Sequence, residues 1–450
     1  MAALDAEVAH VWRRLGFGAV RSEIDAGMAM GTSALVDSLL ARPLVPFASA
    51  GFPPATASTD ANAMREMELM AFGPSAPGSA ITSPQYNPVQ ERITWMLTGL
   101  VVCSQVDAVY IADVRDHLGL LRGALGSNYK QLLLSVSTRP GMLKYLTGHL
   151  NTKAHPNQNY GRELLELFSL GRVDAATGQT NYTQTDVVEI SRALSGWTYN
   201  WGNGTTAFNA SLWDSGPKTF LGAPRGAVGL PAVINAIAAH PAWKTYVPAR
   251  IWKELTGFTA TPAILTELAA PWGANGDLKA LVTHIAHRPE FVSDQAIFNR
   301  TKSPVERMVA AVRLLQYPNL TTDGSIPWLM SLMAQSPLTP PNVSGWPKAD
   351  QWLNTTNLQV WCQTANMLAM RGFNWAGNVT GTINPTVTQV HQSASSATAA
   401  GYVLDLAGLR PASPKTVSML NDYAGAGPWT PYRAAGLLNL LLMSPEFLAN

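Results

Sequence analysis

Acidic side chains are concentrated in one stretch of the chain, which reads HLNTKAHPNQNYGRELLELFSLG from position 149. Glu163 and Glu166 are three residues apart, and Arg162 is four residues from Glu166. On a helix beginning near Asn159 the three side chains therefore share one side. Leucines occupy most other positions, and Gly171 is typical of a helix end. The pattern predicts a helix that carries a carboxylate pair.

A second polar stretch follows from position 182 and reads YTQTDVVEISRALSGWT. Thr183 has the character of a helix N-cap, and Asp186 stands three residues later, the spacing of a capping pair. Glu189 and Arg192 continue the polar stripe at helical intervals. We expect two antiparallel helices joined by a short connection, with their polar stripes facing each other.

Carboxylates on facing helices could carry out acid–base chemistry. A buried member with a raised pKa would be the general acid, and an ionised member would be the base. We assign Glu163 or Glu166 as the acid and Asp186 as the base. With His155 or His149, the same carboxylates could instead hold a divalent metal.

A purely structural interpretation competes with both chemical ones. The acidic residues of the two segments are nearly balanced by Arg162 and Arg192. Buried charges in proteins are normally paired, so these residues could form an ion-pair network that ties two helices together. A Glu-x-x-Glu spacing alone does not decide between these alternatives.

Aromatic and amide side chains near this region are candidates for substrate binding. Amphipathic rings among asparagines and glycines suit stacking under sugars, which favours a polar, glycan-like substrate. In the segment PPNVSGWP the prolines and Gly345 predict a rigid turn, whose tryptophan either covers a pocket or fills the core. The predicted binding residues are Asn157, Asn159, Arg162, Trp197, Trp201 and Trp346.

The composition excludes several classes of protein. Of 450 residues 13% are charged and 47% are hydrophobic, which is incompatible with a disordered chain. The net charge of +2 provides no basic footprint for nucleic acid, so we expect none as a partner. Cys103 and Cys362 are too few for a disulfide framework or a four-thiolate zinc site. Phosphate-binding, dinucleotide, zincin and serine-hydrolase motifs are absent from the sequence, which excludes the commonest forms of those enzymes and leaves any cofactor unidentified.

Apolar residues recur at helical intervals along most of the chain, whereas alternating strand patterns are scarce. The best strand candidate is 386–390, which is too isolated to build a sheet. We predict a single large all-α domain of many helices over 1–450, with long loop insertions. The predicted insertions are the Pro/Ser-rich loops at 43–88, a Gly/Asn/aromatic loop at 199–229, and a flexible excursion at 376–400.

Targeting signals are not recognisable in the sequence. The opening MAALDAEVAHVWRRLGFG places charges where the apolar run of a signal peptide would be. Apolar stretches stay far below the roughly 20 residues of a membrane span. We therefore expect no membrane span and a cytoplasmic location, with export on a partner left open.

Seven motifs in order, from His10 to Leu448, are similar to the bacterial domain of unknown function 1800 family. They are HVWRRLGFG, NQNYGRELLELFSLG, YTQTDVVEISRALSGWT, KTFLG, KSPVERMVAAVRLL, PPNVSGWPKADQWLN and LLLMSPEFL. The resemblance covers essentially the whole chain. It implies a mostly helical bacterial protein, often exported, and often encoded beside a partner of the domain of unknown function 1501 family. It implies no particular activity.

The chain departs from that family's pattern in two places. Family members usually carry Trp-x-Asn-His-Phe where this chain has WMLTG from Trp95, without a histidine. They usually carry Asn-Glu-Asn where this chain has Asn157-Gln158-Asn159, an amide in place of an acid. If the family's chemistry uses that histidine and glutamate, this protein performs different chemistry or none.

We expect a carboxylate-dependent hydrolase or lyase that acts on a polar, glycan-like substrate. A first alternative is a non-catalytic scaffold or partner subunit, whose surface of low charge docks a second protein; the two departures favour it. A second alternative is a divalent-metal-dependent enzyme.

Overall fold

A computed structural model describes residues 2–75, 82–106, 109–174, 177–317, 320 and 323–450. Helices account for most of the described chain. They are α1 (Ala2–Arg14), α2 (Arg21–Met30), α3 (Thr32–Leu40), α4 (Thr59–Phe72), α5 (Pro88–Thr98), α6 (Ile111–Gly123), α7 (Tyr129–Val136), α8 (Pro140–Tyr145), α9 (Asn159–Glu166), α10 (Gln184–Ala193), α11 (Leu230–Ala239), α12 (Tyr246–Thr256), α13 (Pro262–Trp272), α14 (Leu278–Ala286), α15 (Pro304–Leu315), α16 (Ser325–Leu332), α17 (Thr355–Ala369), α18 (Pro385–Ser393), α19 (Ala399–Leu406), α20 (Pro414–Gly425), α21 (Pro431–Leu442) and α22 (Pro445–Leu448).

Local sequence signals explain many helix starts. Ser444 caps α22 by accepting a hydrogen bond from the Phe447 amide, and Pro445 occupies the first helical position. Proline suits that position because its missing N–H has no partner there in any helix. Ser303 and Glu306 form a reciprocal capping pair at the start of α15. Helices α15 and α22 therefore each begin at a proline that follows a capping serine.

The fold is mostly helical, but the prediction of a purely α-helical protein is only approximate. Two antiparallel hairpins lie within 197–226. They consist of β1 (Trp197–Asn200) with β2 (Thr205–Phe208) and of β3 (Lys218–Phe220) with β4 (Ala223–Gly226). Leu221 and Gly222 turn the second hairpin with positive φ at both positions, the geometry that joins two strands most tightly. Four-residue strands carry too little periodicity to be read from sequence.

The predicted loop insertions contain some regular structure. The segment 199–229 holds most of the two hairpins, and 43–88 includes helix α4, with 76–81 outside the described residues. The segment 376–400 includes α18 and the start of α19. The strand candidate 386–390 lies inside α18 and is helical. Val387 and Val390 of α18 are fully buried, so packing against a core selects the helix there.

Two large hydrophobic clusters form the interior. The N-terminal core is built mainly from helices between α1 and α14, and the C-terminal core from α4 and α15–α22. Helix α5 lies between them, because Ile93 and Leu97 belong to the first cluster and Trp95 to the second. The two cores therefore meet along α5, where the chain also forms a cavity.

None of the described helices is both long enough and apolar enough to serve as a transmembrane span.

Candidate functional site

Helices α9 and α10 pack closely and position the predicted carboxylates. A Cβ atom on Gly161 would stand only 2.5 Å from Ser191 Oγ, so glycine permits the close approach of the two helices. Helix α9 starts at Asn159 as predicted, but it ends at Glu166 rather than near Gly171. The amides of Leu170 and Gly171 both donate to the Leu165 carbonyl, so the chain widens into a looser turn.

Glu163 and Glu166 lie on the same side of α9 in different surroundings. Tyr182 donates a hydrogen bond of 3.1 Å to Glu166 Oε2. The described residues provide no hydrogen bond or ion pair to the half-buried Glu163 carboxylate. Burial raises the pKa of Glu163, and the charge of Glu166 raises it further against the opposing effect of Arg162. Such an asymmetry is the usual basis for an acid paired with a base.

Asp186 has its two oxygens occupied by backbone and hydroxyl donors. Oδ2 accepts from the Thr183 amide and hydroxyl, both at 2.7 Å, and Oδ1 accepts from the Leu221 amide at 2.6 Å. The predicted capping pair with Thr183 is therefore present. Asp186 also holds the tight turn of the second hairpin, which gives this carboxylate a clear structural task.

The remaining acid of α10 belongs to an ion-pair cluster. Arg192 donates to both oxygens of Glu189 at 2.8 Å and to Asp214 at 2.8 and 3.2 Å. The cluster ties α10 to the segment between the hairpins. Arg162 has no such carboxylate among the described residues and donates instead to the side-chain oxygens of Gln158 and Gln184. Among the described residues no ion pair therefore joins the polar stripes of the two helices, although Arg162 reaches Gln184 at the start of α10.

The predicted amide residues organise the start of α9. The Asn157 and Asn159 side chains both donate to the hydroxyl of Thr147, at 2.9 and 3.0 Å. The Asn157 amide donates to Asn151 Oδ1 at 2.9 Å. Gln158, the amide that replaces the expected acid, accepts from Gln184 at 2.8 Å. These bonds shape the loop that precedes the helix.

Trp197 and Trp201 lie in an aromatic cluster on the first hairpin. Trp197 packs on Phe208 with 5.6 Å between ring centroids. Trp201 meets Tyr199 edge-on at 4.8 Å, yet 57% of its surface stays exposed. The Lys144 ammonium lies 4.6 Å from the Tyr199 ring centre, a cation–π contact. One face of the cluster therefore anchors the hairpin, and Trp201 presents a ring to solvent.

The metal interpretation requires several ligands that converge on one point. Within the described ranges, no three His, Cys, Asp or Glu side chains are grouped so that they could hold a metal ion. The backbone amide of His155 donates to Thr152, and the His149 ring hydrogen-bonds the Leu143 carbonyl at 2.9 Å.

Trp346 lies in a different place, a cavity of about 420 Å³ where the two cores meet. Its ring stacks on Trp95, with centroids 6.0 Å apart and planes 25° apart. Among the described lining residues there is none of Glu163, Glu166 and Asp186. The structure therefore does not bring the predicted turn tryptophan to the predicted carboxylates.

The cavity wall carries charged residues that sequence reasoning did not single out. Its lining side chains include Arg250 and Lys253 of α12, Arg300, Lys348 and the carboxylate of Glu306. Arg250 also donates to the carbonyls of Leu167, just after α9, and Gly99, just after α5. The sequence indicated this cavity only indirectly: three of the segments that line it, WMLTG, KSPVER and GWPKADQW, belong to recognisable motifs.

Glu306 contributes a buried carboxylate to the lining of the cavity. Its side chain is 3% exposed and is held by Arg92 and Arg300 together with the Ser303 amide at 2.8 Å. Burial alone would favour the protonated acid, but the charges of Arg300 and Arg92 outweigh it and lower the pKa of Glu306 to about 2. The carboxylate is therefore ionised at neutral pH.

The fold and its cavity define a predominantly helical protein with two small hairpins, built around two cores that meet at α5. The chain belongs to the family described as "Protein of unknown function (DUF1800)", whose model matches residues 10–449. The family resemblance carried by the seven motifs is thereby confirmed over essentially the whole chain. Neither a search of curated proteins nor a search of solved structures found a match.

Proposed function

We propose that the protein is a carboxylate-dependent hydrolase or lyase in which Glu163 is the general acid. The observation that carries the proposal is the contrast between Glu163 and its neighbour Glu166. Glu163 has a raised pKa and no partner among the described residues, whereas Glu166 accepts a hydrogen bond from Tyr182. The raised pKa favours the protonated form of Glu163, and a proton held there can be donated to a leaving group.

Glu166 serves as the base of the pair in this proposal. Asp186, the base predicted from the sequence, already accepts three hydrogen bonds, which supports a positioning role for that carboxylate instead. Arg192 forms ion pairs with Glu189 and Asp214, and no described arginine forms an ion pair with either glutamate of α9. This arrangement favours chemistry over a purely structural network at α9.

A polar, glycan-like substrate fits the side chains predicted to bind it. Trp201 exposes an indole that can stack on a sugar face, with Trp197 in the same hairpin. Asn157, Asn159 and Arg162 lie at the start of the same helix as the carboxylates and carry amide and guanidinium groups that suit hydroxyl recognition.

The test is hydrolysis of 4-nitrophenyl glycosides and of short oligosaccharides by the full chain. We expect turnover that falls as the pH rises through the raised pKa of Glu163, where the acid loses its proton. The variants Glu163→Gln and Glu166→Gln should lose activity, whereas Glu267→Gln, an exposed glutamate elsewhere, should keep it. Equal turnover in all three variants, or none in the wild type across the panel, overturns the proposal. Elemental analysis of protein purified without chelator tests the divalent-metal alternative.

The second candidate function is that of a non-catalytic scaffold or partner subunit. The supporting observation is a set of exposed apolar side chains in the C-terminal half. Trp328 and Leu332, one helical turn apart on α16, are 59% and 40% exposed, and Trp375 is 94% exposed. Such rings in water are typical of a surface that another protein covers. The resemblance makes a protein of the domain of unknown function 1501 family the partner to test.

Co-expression with that partner, followed by size-exclusion chromatography, tests this alternative. We expect one co-eluting complex that Trp328→Ser weakens and Glu163→Gln does not. Separate elution of the two wild-type proteins would argue against it.

A further inference from the structure

Three cations line one side of the cavity between the cores without a carboxylate partner. Arg250, Lys253 and Lys348 all belong to its wall. Within the described residues no Asp or Glu oxygen lies within 4.0 Å of their side-chain nitrogens. Burial lowers the pKa of Lys348, and the neighbouring charges of Arg250 and Lys253 lower it further against the attraction of Glu254. The three charges repel one another, so an anion between them would remove an unfavourable interaction.

The other charges of the cavity largely neutralise each other. Glu306 takes two ion pairs, from Arg92 and Arg300. Arg300 also lies 3.7 Å from a Glu254 oxygen. Asp350 is an exposed acidic residue of the lining, and it makes no ion pair with a described residue. Unpaired cations therefore exceed unpaired carboxylates, and the difference lies on the α12 and Lys348 side.

The cavity also has an apolar wall. Trp95 and Trp346 stack there, and Met96 and Ile251 lie beside them in the lining. An apolar or aromatic group in the cavity could therefore pack on the stacked indoles.

A close backbone contact holds the two indoles in place. Gly345 has φ of +84°, and a Cβ atom there would lie 2.5 Å from the Gly99 carbonyl oxygen. Only glycine accepts both conditions, so the turn that carries Trp346 docks directly on the end of α5. Preorganised walls of this kind are typical of ligand sites.

We propose that this cavity binds an anionic ligand, an oxyanion of the phosphate or carboxylate type attached to an apolar or aromatic body. The oxyanion would lie among Arg250, Lys253 and Lys348, and the body would pack on the stacked indoles. A volume of about 420 Å³ lies in the usual range for small-molecule sites. The site is separate from the carboxylate pair on α9, and the inference does not depend on the proposed hydrolase or lyase activity.

Isothermal titration calorimetry of the full chain with three probes tests the inference. Phenyl phosphate and benzoate carry the two oxyanions on one aromatic body, and benzyl alcohol carries none. We expect the anions to bind, benzyl alcohol to bind much more weakly, and added salt to weaken the anions. The anion that binds with the higher affinity identifies the oxyanion that the site prefers.

Charge-removal variants locate the binding. Lys348→Gln should weaken anion binding about tenfold, the usual worth of one charge-assisted contact, and Lys253→Gln combined with it should weaken binding further. Both lysines are exposed and make no ion pair with described residues, so folding should be unaffected. Lys415→Gln removes the same charge from an exposed position on α20, away from the cavity, and should leave binding unchanged.

Three results would overturn the inference. The first is no anion binding by the wild-type chain. The second is equal loss of affinity in Lys348→Gln and in the Lys415→Gln control, which would mean adsorption to general surface charge. The third is tight binding of benzyl alcohol that neither lysine variant alters, which would make the cavity an apolar site instead.

Discussion

The buried carboxylate of Glu306 provides a test of how charge holds the two cores together. Its oxygens accept from Arg92, from Arg300 and from the Ser303 amide at the start of α15. Replacement by glutamine keeps the shape of the side chain but leaves the buried Arg92 guanidinium without its counter-charge and Arg300 with only the more distant Glu254 carboxylate. Removal of one partner from a buried ion pair costs about 3–5 kcal/mol.

The lowered pKa gives an independent magnitude. The pKa of Glu306 drops from 4.5 to about 2 on folding. Since a tenfold change in a protonation equilibrium is worth about 1.4 kcal/mol, the ionised form contributes about 3 kcal/mol to stability at neutral pH. A pKa that is lower in the folded state gives stability that is complete above pH 4.5 and is lost as the pH falls towards 2.

Urea unfolding of the wild type and Glu306→Gln, followed by tryptophan fluorescence, measures both effects. At pH 7 the variant should be about 3 kcal/mol less stable. Near pH 3 the contribution falls to about 1 kcal/mol, so the gap between the two proteins should narrow by about 2 kcal/mol. Glu267→Gln is the matched control, because that glutamate is half exposed and its pair with Arg288 should contribute under about 1 kcal/mol.

The reasoning about Glu306 would be refuted by a loss at pH 7 no larger than that of Glu267→Gln. It would also be refuted by a gap that stays constant between pH 7 and pH 3, because the stabilisation would then not come from the ionised carboxylate.

Three further predictions follow from single positions. Asp186→Ala removes the capping pair of α10 and the anchor of the second hairpin, and it should lower the free energy of unfolding by about 2 kcal/mol in urea denaturation; no change would contradict its structural role. Gly345→Ala forces a Cβ atom towards the Gly99 carbonyl, so the free energy of unfolding should fall by about 1–3 kcal/mol and anion binding in the cavity should weaken with it. An unchanged free energy of unfolding and an unchanged affinity would exclude that clash. Burial strongly raises the pKa of the Cys103 thiol, whereas Cys362 is exposed; Ellman's reagent should therefore modify one thiol in the folded protein and two in denaturant, and rapid modification of both in the native state would contradict the burial.

Much of the helical framework could be predicted from sequence alone. The capping pair of Thr183 with Asp186 was recognisable, and the structure contains it. This signal works because a cap joins atoms within a few residues, so the local sequence contains both partners. The two hairpins escaped prediction because short strands acquire their pairing from the turn and from contacts with α10, as the bond from Leu221 to Asp186 shows.

The surroundings of the candidate carboxylates were only partly predictable. Helical spacing placed Glu163 and Glu166 on one side of α9, as a local property should. It could not show that Arg192 would pair with Asp214 rather than with an acid of α9, because that choice depends on how the hairpin segment folds over α10. The different surroundings of the two glutamates are likewise a tertiary property.

The cavity was decided by tertiary structure alone. Glu306 and Arg92 are 214 positions apart, and Trp346 reaches Trp95 from another distant segment. The sequence by itself determined the mostly helical character of the chain, the capped start of α10 and the family that the chain resembles, because each of these depends on nearby residues or on ordered motifs. Only the packing of α5, α12, α15 and the Gly345 turn determined which charges are buried together and which cations lack partners. Burial and Coulomb energies depend on distance in space, which separation along the chain does not encode.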